Sequence, residues 1–336
     1  MNVLSTIHQY IDRDTGAVVD ERLVGDRLLV GAYALCSSLP GLRRALSSSR
    51  MTQVLALVAF RGPHASGALT PAPVRAEAAE VEWSRRWFER QIPYWECRPM
   101  PEADNAIVSP ADARILVGSL DQSSPVFIKG AFFDADELLG ADMPRWRDAF
   151  SGGSVALFRL TPDKYHYNHT PVSGEVKDLY TVEGRYHSCH PDVIVRLGSP
   201  YSRNRRVVTI IDTDVPGGTQ VGLVAMLEVV AMMIGDIVQC YSPCRYENPQ
   251  PVKPGMFVRK GRPKSLYRPG SSTDLLVFQK DRIDFAADLL ANQARRDVAS
   301  RFSLGFGRPL TETDVRVRSL IALGRPRDGD GSKKRR

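Results

Sequence analysis

No stretch of this 336-residue chain holds the roughly 18–20 apolar residues in a row that a bilayer-spanning helix requires. The N-terminal runs LLVGAYALCSSLPGLRRALSSSR and MTQVLALVAF are broken by Ser, Pro or Arg or are too short. The run from Val221 to Val238 carries Glu228 and Asp236, and charge at mid-bilayer is costly. Cysteine is scarce as well. Five residues, Cys36, Cys97, Cys189, Cys240 and Cys244, are odd in number and irregular in spacing, which excludes a disulfide framework and fits free thiols in a reducing cytoplasm. Met1 to Thr15 is mixed and polar, so no secretory leader is expected. His187-x-x-His190 runs into Pro191 and has no recognised ligand spacing with Cys240 and Cys244, so no metal is expected. Zinc-finger, helix-turn-helix and RNA-binding aromatic patterns are missing, and no nucleic-acid partner is expected.

What is present is ordinary for a globular protein: 43% hydrophobic residues, enough to bury a sizeable core. The net charge of +7 suits an anionic membrane surface and suits a basic soluble protein equally well. Residues 1–75 have their own texture, polar at first and then apolar in short bursts. They predict a helical, membrane-associating region, with Arg43, Arg44 and Arg50 at headgroup level; packing on a core fits the same pattern. ASGALTPAPVR (65–75) reads as a boundary loop. AEAAEVEWSRRWFERQI, from Ala76, predicts a helix with Trp83, Trp87 and Phe88 on one stripe. From Pro101 onward strands dominate: AIVSPADARILVG, PVFIKG, SVALFRLT, RVVTIID, and two strands within Val221–Val238 broken near Met233–Gly235. IDFAADLLANQARRDVA predicts an amphipathic helix. The tail 326–336 is basic and reads as disordered. The fold class is therefore α+β: a mainly β domain over 76–325 with peripheral helices, preceded by the helical region.

Three features carry possible chemistry, each weak alone. His166 and His169 lie in DKYHYNHTPVSG; if the preceding strand continued through them, a spacing of three would place them on opposite faces unless the chain bends near Asn168. Asp112 ends the turn VSPADARI, where Asp commonly serves local hydrogen bonds. Gly270-Ser271-Ser272 stands at the mouth of the apolar strand DLLVF, where a plain turn is the bland reading. Together they supply the parts of an activated-serine apparatus: nucleophile, base and an acid beside the base.

In order along the chain, VSPADARI, IKGAFFDADELLG, LTPDKYHYNHTPVSGEV, VVAMMIGDI and KPGMFVRKGRPKSLYRPGSSTDLLVF resemble the motifs of the phosphatidylserine decarboxylase family, the pyruvoyl-dependent lyases. The resemblance is collinear from about Trp87 to Phe278, and YIDRDTGAVVDE resembles a common bacterial N-terminus of the family more loosely. It implies self-cleavage between Gly270 and Ser271, with His169 as base, Asp112 as the acid that orients it and His166 acting in substrate decarboxylation. The serine oxygen attacks the preceding carbonyl, an ester replaces the amide, and β-elimination cuts the chain into 1–270 and 271–336. The new terminus loses ammonia and becomes a covalent pyruvoyl group, so neither a metal nor pyridoxal phosphate is implied. Its keto group accepts the electrons left as carbon dioxide departs from an amine substrate. The resemblance further implies a phospholipid substrate, phosphatidylserine converted to phosphatidylethanolamine. It implies peripheral attachment to the anionic cytoplasmic face of the cell membrane, and dimers.

The match departs from the family in places. GST becomes Gly270-Ser271-Ser272: adjacency to glycine selects Ser271, whereas distance from Phe278 selects Ser272. Val229-Val230-Ala231 replaces VGA, Ala113 replaces the glycine of SPADG, and Asn204-Arg205-Arg206 replaces NER. These changes leave the processing residues in place and loosen the substrate assignment. Two other readings stay open: a pyruvoyl enzyme acting on a free amino acid, and a relative that binds lipid without ever being cut.

Overall fold

The computed structural model describes residues 8–21, 86, 88–121, 124, 126, 132–161, 163–197, 201–231, 236–268 and 272–326. Its strands in chain order are β1 Gln9–Asp12, β2 Val18–Asp20, β3 Ala106–Val108, β4 Ala113–Ser119, β5 Ser154–Leu160, β6 Tyr167–His169, β7 Gly174–Val182 and β8 Arg206–Asp212. They continue as β9 Leu223–Val230, β10 Ile237–Gln239, β11 Phe257–Val258, β12 Pro263–Tyr267, β13 Ser272–Phe278, β14 Ile283–Phe285, β15 Thr313–Val315 and β16 Leu320–Gly324.

A ten-stranded sheet organises the chain, in the order β11-β7-β8-β9-β13-β5-β4-β15-β1-β2. Every pairing in it is antiparallel except β1 with β15. β13 lies near its middle, with Ser272 opposite Leu160 on one side and Val230 on the other. Both faces of this strand are covered, which explains why DLLVF reads as an unbroken apolar run rather than an alternating one. Leu276 and Phe278 join one core with Met226, Val230, Phe158 and Leu160. Leu275 and Val277 join a second core on the opposite face with Leu227, Val229, Leu157 and Phe302. Each such side chain contributes about 1.5–3 kcal/mol on burial.

The first core is roofed by two small sheets, β10-β12-β6 and β14-β16-β3. The second is roofed by short helices, among them Pro144–Ala149 and Arg301–Phe306, through Trp146 and Phe302. The mainly β body with peripheral helices is thus as expected. Most of 1–75 and 327–336 lies outside the described residues, as do Trp83 and Trp87. Where the N-terminal region is described it is extended rather than helical: β1 and β2 form a hairpin on the edge of the main sheet. The helix expected over IDFAADLLANQARRDVA is shorter, Ala287–Gln293. Ile283–Phe285 is instead a strand, because β16 offers its edge there.

Candidate active site

The histidine stretch does not prolong β5. The chain leaves the large sheet after Leu160, and Tyr167–His169 re-enters as β6 of the small sheet beside β12. Tyr267, the last residue of β12, donates its backbone N–H to the His166 carbonyl at 3.1 Å. Since Ser272 faces Leu160 in the large sheet, the segments 160–166 and 267–272 meet at both ends.

His169 is fully buried. Its Nδ1 lies 3.0 Å from the Gly261 carbonyl, which only accepts, so Nδ1 carries the proton and Nε2 is the basic nitrogen. Nε2 is 2.9 Å from the Tyr165 hydroxyl, itself 2.7 Å from that of Tyr246. Tyr94 closes the ring edge-on at 4.7 Å between centroids. Gly261 has φ +71, and a Cβ there would stand 2.5 Å from the Met100 sulfur, so glycine is needed to bring this carbonyl to the ring. Burial pushes the His169 pKa down to about 3, with the Gly261 carbonyl and the Asp112 charge working against it. The imidazole is therefore neutral at pH 7, the state a general base must have.

Asp112 adjoins His169 through the backbone: the His169 N–H donates to the Pro110 carbonyl at 2.7 Å, inside the SPAD turn. Among the described residues no hydrogen bond joins the Asp112 carboxylate to the imidazole. The carboxylate instead takes Arg98, Nε to Oδ1 at 3.0 Å and Nη2 to Oδ2 at 2.6 Å, and the Val317 N–H at 2.8 Å. Its influence on His169 is electrostatic; Gly261 and Tyr165 orient the ring.

His166 is also fully buried and stacks on Phe88 at 3.6 Å. Neither ring nitrogen has a hydrogen-bond partner among the described residues. Burial lowers its pKa to about 3, opposed by the neighbouring Lys164 backbone.

Gly270 and Ser271 lie outside the described residues. Ser272 lies within them, fully buried at the start of β13, its hydroxyl without a partner there. It shares the face of β13 that carries Asp274, Leu276 and Phe278, the face toward the small sheets.

Sequence reasoning missed Tyr165, Tyr246, Gly261 and Arg98. Tyr165 stood next to the histidines and was legible as a neighbour. Arg98 and Tyr246 reach the site only through the fold. A second set of polar groups, Glu228, Lys264 and Asp274, is buried between the sheets. Its signal was a charge placed inside an apolar strand. Away from the site, His8, Glu21 and Glu312 converge, but the Arg159 guanidinium binds both carboxylates and Arg114 pairs with Glu21, so positive charge is already supplied there. No described helix is long and apolar enough to cross a membrane.

The family model for phosphatidylserine decarboxylase matches residues 86–302. A phosphatidylserine decarboxylase proenzyme 2 from rice is 35% identical over 196 residues, 58% of this chain and 28% of that protein. A phosphatidylserine decarboxylase proenzyme from Chlamydia trachomatis serovar L2 is 33% identical over 201 residues, 60% of this chain and 61% of its own length. One from Fusobacterium nucleatum is 26% identical over 311 residues, 88% of this chain and 95% of its own. The matched part thus spans less than two thirds of the first two relatives. With the matched segment covering both histidines, the SPAD turn and the serine run, the chain belongs to the phosphatidylserine decarboxylase family, a family of carboxy-lyases.

Proposed function

We propose that the protein is a self-processing, pyruvoyl-dependent decarboxylase that converts phosphatidylserine to phosphatidylethanolamine and carbon dioxide. The observation that carries this reading is the pairing of Leu160 with Ser272 and of His166 with Tyr267, which ties the stretch bearing the neutral, buried histidines to the chain on either side of the serine run.

His169 Nε2 takes the proton of the attacking serine once the Tyr165 hydroxyl swings away. The serine oxygen adds to the preceding carbonyl, the C–N bond breaks, and an ester remains. Removal of the serine α-proton then expels the upstream piece as a carboxylate, and water releases ammonia from the new terminus. The buried groups of Ser272 and His166, without partners among the described residues, fit such a terminus: polar atoms held in an apolar setting. The pyruvoyl group supplies an electron-accepting ketone. His166, unprotonated at rest, would hold and deliver the proton that replaces carbon dioxide.

By adjacency to Gly270 the processed residue is Ser271. A second reading places the cut between Ser271 and Ser272, and the buried hydroxyl of Ser272 at the strand mouth, without a partner among the described residues, favours it. Intact masses of both fragments, with Ser271→Ala and Ser272→Ala beside wild type, test the whole proposal. Two pieces are expected for wild type and one for the variant that lacks the processed serine. A single full-length species from wild type would support a non-catalytic lipid binder. Carbon dioxide release from phosphatidylserine vesicles is expected; release only from free amino acids would move the substrate assignment. Peripheral attachment to an anionic membrane predicts flotation with anionic vesicles, and its failure would remove the membrane from the proposal.

A further inference from the structure

The sheet that carries His169 is held to the sheet that carries Ser272 by charges and hydrogen bonds as well as apolar packing. Glu228 on β9 and Asp274 on β13 are register neighbours, and both are fully buried. Across the gap, Lys264 on β12 reaches Glu228 Oε2 at 2.8 Å and Gln239 Oε1 at 2.8 Å. Gln239 returns a bond to Glu228 Oε2 at 2.8 Å, and the Ser265 hydroxyl donates to Oε1. Asn168, the residue before His169, donates to Ser265 Oγ at 3.2 Å. Tyr267 donates its hydroxyl to Asp274 Oδ1 at 2.7 Å and approaches the Thr273 carbonyl at 3.2 Å.

Two features of this network decide its reading. A buried ion pair costs desolvation that a well-packed apolar contact avoids, so stability alone does not account for Lys264 and Glu228; fixing one arrangement of two layers is a use that does. The network also straddles the serine run. Tyr267 lies upstream of it, Thr273 and Asp274 downstream, so these contacts outlast a cut. Directional bonds fix the spacing and register of two sheets more tightly than an apolar contact that can slide.

We infer that Glu228, Lys264, Tyr267 and Asp274 are positioning residues for self-processing: they set the histidine-bearing sheet against the serine-bearing strand and hold both sides of the cut in place. This rests on the processing reading above. None of the four exchanges a proton with the reacting atoms; they act through the placement of His169 and Ser272.

The test is the time course of cutting in freshly translated full-length chain, read on denaturing gels for wild type, Tyr267→Phe and the paired neutral change Glu228→Gln with Lys264→Met. Thermal unfolding is read in parallel with Ser271 and Ser272 both changed to Ala, so that uncut chains are compared. Both variants are expected to cut at least about tenfold slower, a barrier increase of roughly 1.4 kcal/mol. The paired variant is expected to melt no lower than the reference. Cutting at the wild-type rate in both variants overturns the inference, and slowing that tracks lost thermal stability reduces it to a structural role. If the paired change prevents folding, Tyr267→Phe, which removes one oxygen atom, decides by the same two readouts. A wild-type chain that is never cut overturns the processing reading and this inference with it. A wild-type chain that is cut beside variants cut equally fast overturns this inference alone.

Discussion

Arg98 holds Asp112 through a two-point contact, Nε to Oδ1 and Nη2 to Oδ2, while the same carboxylate accepts the Val317 N–H. The acid expected beside the histidine base is therefore also the joint between the SPAD turn, the helix Tyr94–Cys97 that leads into Arg98, and a C-terminal loop.

Arg98→Lys keeps the charge and loses the planar fork, which is not a conservative change at a bidentate site. It is expected to slow chain cutting several-fold. Arg98→Ala is expected to cost roughly 1.5–3 kcal/mol of stability, the usual worth of hydrogen bonds to a charged group. Asp112→Asn still offers Val317 an acceptor and is expected to fold yet cut poorly. Urea midpoints beside cutting rates check this; normal cutting by Asp112→Asn would remove the carboxylate's charge from the mechanism.

Acid should unfold the protein from an unusually high pH. His166 and His169 are held at about 3 and His190 at about 4 by burial, below the ordinary 6.5. Between those values the unfolded chain binds protons that the folded chain refuses, so stability is complete above 6.5 and falls as pH drops toward 3. Each ring contributes up to about 1.4 kcal/mol per pH unit in that window. Asp274, pushed up mainly by burial, opposes this, since its protonated form favours the folded state. Urea midpoints from pH 7.5 to 4 are expected to fall, and less steeply in His166→Phe. A flat profile would mean that the rings are not neutral.

The strands were legible where both faces are buried, because such strands read as apolar runs. SVALFRLT, RVVTIID and DLLVF are β5, β8 and β13. The histidine pair was legible as chemistry, but its geometry was left open between a continued strand and a bend. Whether β6 continues β5 or joins another sheet is settled by β12, about a hundred residues later in the chain. The same holds for Ile283–Phe285, whose helix-like pattern yields to a partner strand at Leu320–Gly324. Gly261, Arg98 and Tyr246 reach the site through long-range packing that no local pattern encodes. Glu228 could be read as an argument against a membrane span, but its partner Lys264 could not be read at all.

Cut chains are expected to stay together. After a cut in the serine run the smaller piece still supplies β13 between β9 and β5, and β15 between β4 and β1. It also supplies Glu312, whose buried carboxylate takes Arg159 at 2.5 Å and His8 at 2.6 Å from the larger piece. The pieces should co-elute under native conditions and separate only in denaturant. Arg159→Ala removes the guanidinium from buried Glu312 and leaves Glu21 with Arg114 alone, and is expected to cost about 3–5 kcal/mol. Separate elution of wild-type pieces in native buffer would contradict the sheet order.

The mass of the smaller piece is the most discriminating single number. A cut after Gly270 leaves a product of residues 271–336; a cut after Ser271 leaves one shorter by a residue. β13 pairs from Ser272 onward on both sides, so Ser272 is held in the sheet by a strand on each flank. Its hydroxyl is buried and without a partner among the described residues. Ser272→Ala should therefore separate the two cases cleanly. If Ser271 reacts, the variant is still cut, with a smaller piece lighter by one oxygen atom. If Ser272 reacts, the variant remains whole, and Ser271→Ala is cut in its place. Cutting that survives with Ser271 and Ser272 both changed to Ala would exclude both hydroxyls and end the self-processing reading.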